Sequence, residues 1–131
     1  MGAAFEHPVR VRWRDTDALS HVNHAVFLTY LEEGRDAFFA RALGSEPSYV
    51  VVRVELDLRA EIRLGDREVS VRLEVERVGT TSVTTRETIL TPSREVAAEA
   101  RVVSVRWDPR QRKPAAFSEQ ERAQLARREA P

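Results

Sequence analysis

From residue 9 to residue 15 the chain alternates, with Val9, Val11 and Trp13 on one face and Arg10, Arg12 and Arg14 on the other. This period-two pattern predicts a half-buried strand, closed by Asp15 and Asp17. After the turn-like residues 18–22, the positions Phe27, Leu31, Gly34, Phe38 and Ala42 recur at steps of three and four. That spacing predicts one helix of about five turns. Asn23 suits its N-cap, and Gly44 suits the C′ position that ends it. Beyond Pro47 the pattern turns to strands. Val50, Val52, Val54, Leu56, Leu58, Ala60 and Ile62 alternate with mostly charged residues up to a turn at Gly65-Asp66. Val69, Val71, Leu73 and Val75 repeat the alternation until Gly79 breaks it, and residues 82–90 form a Thr-rich strand. Thr91-Pro92-Ser93-Arg94 makes a tight connection to a further strand. There the apolar parity shifts from Val96, Ala98, Ala100 and Val102 to Val103, Val105 and Trp107, which predicts a β-bulge. Ser118-Glu119-Gln120-Glu121 has the spacing of a capping box and opens a short terminal helix.

One strand, one long helix and then strands joined as hairpins describe an α+β domain in which a curled antiparallel sheet wraps a single central helix. Val26, Tyr30 and Phe39 add apolar character on further faces of that helix, which suits an enclosed element. Such a sheet has long edges, and edge-to-edge dimerisation covers them. The length, 131 residues, fits one domain over residues 1–131, with its core at about residues 7–125.

Charge removes several function classes. Basic and acidic residues balance at 21 each, so nothing in the overall field favours nucleic acid or an anionic membrane surface. No cysteine is present, which excludes disulfides, thiolate nucleophiles and Cys-bearing zinc sites. Residues 1–8 hold no apolar core of signal-peptide length, and no stretch approaches the roughly 20 apolar residues of a membrane span. The cytoplasm is therefore the expected compartment. Arginine far outnumbers lysine, Lys113 being the single lysine, a skew that composition bias explains as readily as phosphate binding.

The segment from Trp13 to Arg35 includes Asp15-Thr16-Asp17, Ser20-His21-Val22-Asn23-His24 and Glu32-Glu33-Gly34-Arg35. It resembles the opening signature of the 4-hydroxybenzoyl-CoA-thioesterase-like branch of the hotdog superfamily. Leu64-Gly65-Asp66, Gly79-Thr80-Thr81-Ser82 and Arg112-Lys113-Pro114 follow in the family's order, so the resemblance spans roughly residues 7–125. It implies a hotdog fold and hydrolysis of an acyl-coenzyme A thioester, with active sites built from two subunits of a homodimer or homotetramer. By the same resemblance the catalytic carboxylate falls on Asp17, and a histidine that assists catalysis in one branch falls on His24. The backbone N–H at that position would polarise the thioester carbonyl, while Ser82 would lie near the acyl or pantetheine portion. No cofactor is implied beyond the coenzyme A of the substrate. Position 20 is usually glycine in this family. Here it is Ser20, so the loop either avoids a positive φ or bears a cost of about 1 kcal/mol.

This chemistry suits these residues. Thioester hydrolysis needs a carboxylate that attacks the carbonyl carbon or activates a water, together with donors aimed at the oxygen that becomes negative. An amide at a helix N-terminus supplies such a donor. Plainer roles compete at several positions. Asp15 reads as a turn or cap residue. Asn23 serves either as helix cap or as substrate contact, and His24 either as catalytic group or as structural histidine. His21 and His24 with Asp17 could be taken for metal ligands, but neither a helical His-Glu-x-x-His pattern nor a further ligand group accompanies them, so no metal site is expected. Glu32 and Glu33 stand close to Arg35 and Asp36 and read as members of structural ion pairs. Trp13 is expected in the core. Two alternatives to the hydrolase stay open: a hotdog protein that binds an acyl ligand without turnover, and a thioesterase acting on a carrier-bound acyl group.

Overall fold

The structure, a computed structural model, describes residues 4–44 and 48–129, so the expected break at Pro47 and both chain ends lie outside the described residues. Strand β1 (Phe5–Arg10) leads to helix α1 (His24–Leu43), followed by β2 (Tyr49–Leu58), β3 (Glu68–Val78), β4 (Ser82–Leu90), β5 (Val96–Asp108), the short β6 (Lys113–Pro114) and α2 (Glu119–Ala126). The strands form one curled antiparallel sheet in the order β1-β3-β4-β5-β2, with β6 on the end of β5. This is the α+β architecture that the resemblance implies.

Helix α1 begins and ends where its caps dictate. Asn23 accepts the N–H of Ala25 through its side chain, and Gly44 closes the helix at φ 69 in the left-handed region. Phe27, Leu31, Gly34, Phe38 and Ala42 are buried at the predicted steps, together with Tyr30, Phe39 and, unexpectedly, Arg35. They lie against β1, β3 and β4. At Gly34 the backbone passes so close to β3 that a Cβ there would stand 2.5 Å from Val71 Cγ1. One full row of the sheet's inner face shows how far this cover extends. Val71, Ile89 and Ala98 are each 0% exposed, yet their neighbour in the same row, Leu58 on β2, is 51% exposed.

Three expectations are corrected. The first strand stops at Arg10, because the Asp15 carboxylate accepts the Arg12 N–H at 2.9 Å and captures residues 13–15 in a 3-10 turn. Trp13 consequently leaves the core and is 77% exposed. The run expected to reach Ile62 as a strand ends at Leu58, and residues 59–63 turn off the sheet edge, where both Arg59 and Ala60 donate N–H to the Ala97 carbonyl. Ile62 is fully buried from that loop. The parity change in β5 is no bulge of β5. Pairing with β4 runs unbroken through Val102 and Val103, and the extra residue is Val52 on β2. Ser104 continues the inner face of β5, and Val103 and Val105 are half-buried on the other.

Candidate active site

The segment between Asp15 and α1 is a closed loop. Thr16 pairs with Val22 across its neck, and within it Asp17 donates its N–H to the His21 carbonyl at 3.0 Å. Ser20 returns its N–H to the Asp17 carbonyl at 3.0 Å with φ 65, so this serine holds the left-handed conformation that glycine favours. The loop is anchored at both ends. Asn23 donates its N–H to the Asp15 carbonyl at 2.9 Å, and Val22 donates to the Ile62 carbonyl at 2.7 Å.

The two acids of the triplet have different surroundings. Asp15 is 9% exposed, and its Oδ2 accepts the Tyr30 hydroxyl at 2.5 Å in addition to the Arg12 N–H and Nε. Burial alone would raise its carboxyl, but the Tyr30 and Arg12 donors hold it below the usual carboxylate range. Burial first, and then the Asp15 carboxylate, push the Tyr30 hydroxyl strongly upward. Arg12 reaches on to Glu33 Oε2 at 2.8 Å, so the acid of α1 at position 33 is in an ion pair, and Glu32 is exposed. Asp15 therefore ties the loop to the second turn of α1. Asp17 is half-buried instead. Its Oδ1 takes the Leu19 N–H at 2.9 Å, and its Oδ2 accepts no hydrogen bond among the described residues. It lines a recess of about 590 Å³ with Trp13, Arg14, Ala18 and Leu64.

The helix start lies eight residues or fewer along the chain from this carboxylate. Ala25 and Val26 donate their N–H groups to the side chain and carbonyl of Asn23, whereas the N–H of His24 meets no acceptor among the described residues. The His24 ring is exposed. Ser82 is not brought to the recess. It sits at the start of β4, where its carbonyl accepts the Gly79 N–H at 2.7 Å. The histidine beside Asp17 is His21, whose Nδ1 stands 3.6 Å from Asp17 Oδ1. Sequence reasoning weighed His21 only as a possible metal ligand, set that reading aside and gave it no other role. Among the described residues no group of three or more His, Asp or Glu side chains converges. Nor is any described helix long and apolar enough to cross a membrane.

The loop thus presents a carboxylate with one oxygen free of donors among the described residues, and the helix that follows it begins with an amide that meets no acceptor among them. A family profile described as the thioesterase-like superfamily matches residues 11–125. The acyl-CoA thioester hydrolase YbgC of Escherichia coli is 31% identical over 120 residues, covering 86% of this chain and 89% of that protein. Among solved structures, a thioesterase from Thermus thermophilus in complex with coenzyme A and Zn is 33% identical, with a TM-score of 0.79, over 92% of this chain and 90% of that one. A predicted thioesterase from Bacillus stearothermophilus is 26% identical and superposes with a TM-score of 0.87 over 98% of both chains.

Proposed function

The chain belongs to the thioesterase-like superfamily and is a thioester hydrolase, and from that premise we propose that it cleaves an acyl-coenzyme A thioester to the free acid and coenzyme A. The observation that carries this reading is the half-buried Asp17 carboxylate, with one oxygen free of protein donors among the described residues, in the loop that leads directly into α1. Asp17 acts as general base, taking a proton from the water that attacks the carbonyl carbon, or attacks that carbon itself. The carbonyl oxygen gains negative charge and receives the His24 N–H, helped by the dipole of α1. Collapse of the tetrahedral intermediate breaks the C–S bond, and the coenzyme A thiolate takes up the proton that Asp17 drew from the water; where Asp17 attacks directly, water then hydrolyses the acyl–Asp17 anhydride to the free acid and supplies that proton. Asn23 holds the helix start in place through its cap, beside the substrate carbonyl.

The site is completed by a second copy of the chain. Ser82 lies away from its own Asp17 recess, so Ser82 of the partner subunit is the one that meets the acyl or pantetheine portion. The uncovered inner row of β2 supports a homodimer or homotetramer. No cofactor takes part, and coenzyme A enters only as part of the substrate. No metal is required either, since the chain has no cysteine and His7, its third histidine, lies on β1 opposite Val71. The cytoplasm is the compartment we assign. Spectrophotometric release of thiol from a panel of acyl-coenzyme A thioesters tests the reading. Turnover that persists in chelator supports it, whereas binding without thiol release contradicts it.

A further inference from the structure

The turn that carries Asp17 brings a second functional side chain to it. His21 Nδ1 stands 3.6 Å from Asp17 Oδ1 and 3.4 Å from the Val22 carbonyl oxygen. Both neighbours are acceptors, so either suits a proton carried on this nitrogen. The backbone that presents the ring is fixed from two sides. The His21 carbonyl accepts the Asp17 N–H, and His21 pairs across a bridge with Arg63. Ser20 at φ 65 reverses the chain between the two residues, and a non-glycine residue held there is a local strain of the kind that accumulates at functional sites. His24, by contrast, projects an exposed ring with no partner among the described residues.

We propose that His21 is the positioning residue of Asp17: its Nδ1–H donates to Oδ1 and holds the carboxylate aimed at the substrate. This rests on the reading of Asp17 as the hydrolytic carboxylate. A separation of 3.6 Å is too long for a hydrogen bond. Catalytic contacts of this kind tighten when substrate binds, and a small rotation of either side chain closes the gap. Of the other charged groups around the pair, Arg14 stands beside Asp17, and Arg63, Arg12 and Asp15 are engaged elsewhere. Arg14 lines the recess, Arg63 Nε faces Glu61 at 3.7 Å, and Arg12 and Asp15 are bonded to each other and to Glu33 and Tyr30.

The test measures kcat and KM for thiol release by His21→Ala, His21→Asn and Asp17→Asn, with thermal melts of each. His21→Ala lowers kcat by about 10- to 100-fold with little change in KM, as expected for a lost hydrogen bond to a charged group. His21→Asn places an amide N–H where Nδ1 stood, so it restores most of kcat. A merely structural histidine would move the melt, and asparagine would not rescue kcat. A folded His21→Ala protein with parental kcat overturns the proposal, provided Asp17→Asn is inactive. So do equal losses of kcat in both folded His21 variants. Full turnover in Asp17→Asn removes the carboxylate assignment itself, and the role of His21 falls with it.

Discussion

Ser20 holds φ 65 in the turn that carries Asp17, where a side chain costs about 1 kcal/mol or more relative to glycine. Replacing it with glycine removes that cost and adds back roughly 0.4–1 kcal/mol of unfolded-state entropy. The two nearly cancel, and the steric relief is the larger. Ser20→Gly is therefore expected to raise the melting temperature slightly, and a drop of several degrees in a thermal melt would show that the serine side chain supports the turn. From the sequence Ser20 offered two backbone conformations, because a single departure from a glycine position does not say which way the loop has adapted. The role of Asp15 was more legible, since an acid at a strand end commonly bonds to nearby backbone as a turn or cap residue. That logic applied equally to Asp17, which only the family resemblance singled out. The partner of Asp17 was not legible. His21 and His24 are equally plausible neighbours along the chain, and only the reversal at Ser20 decides that His21 lies beside Asp17.

At the level of elements, the caps were readable because they act within a few residues. Asn23 and Gly44 mark the two ends of α1 by local chemistry alone. Trp13 was not readable, since alternation of side chains says nothing about a carboxylate two residues later that captures the backbone in a turn. The Arg35 and Glu87 side chains were also hidden. They form a bidentate pair of 2.9 and 2.8 Å between α1 and the inner face of β4, joined by the Thr85 hydroxyl, at a separation of 52 residues. Arg35 had read, with Asp36, as a neighbour of Glu32 and Glu33 in structural ion pairs. Instead it is buried against Glu87, and Asp36 accepts the Tyr49 hydroxyl. Gly34 gives the sharpest test of how α1 meets the sheet. A methyl group there overlaps the Val71 side chain on β3. Gly34→Ala is expected to destabilise by about 1–3 kcal/mol through overpacking, only partly offset by the roughly 1 kcal/mol that alanine gains over glycine in a helix. Denaturant unfolding measures it, and a stabilised variant would mean that α1 lies farther from β3.

At the scale of the whole molecule, α1 covers the β1-β3-β4 side of the sheet, and the inner row ends at β2 with exposed Val54 and Leu58. An apolar edge strand of this length invites a second copy. Sedimentation at micromolar concentration is expected to show a dimer or larger assembly, which Val54→Lys weakens. A fully active monomer would contradict it. The sequence carried this expectation because long alternating strands imply edges, although which edge is bare follows from the strand order. The account as a whole depends on Asp17, and the turnover number of Asp17→Asn tests it most directly. The substitution keeps the size of the side chain and an acceptor for the Leu19 N–H, so the loop stays folded. We expect kcat for thiol release to fall about 10²- to 10⁴-fold with KM little changed. A folded Asp17→Asn protein with near-parental turnover would contradict the account.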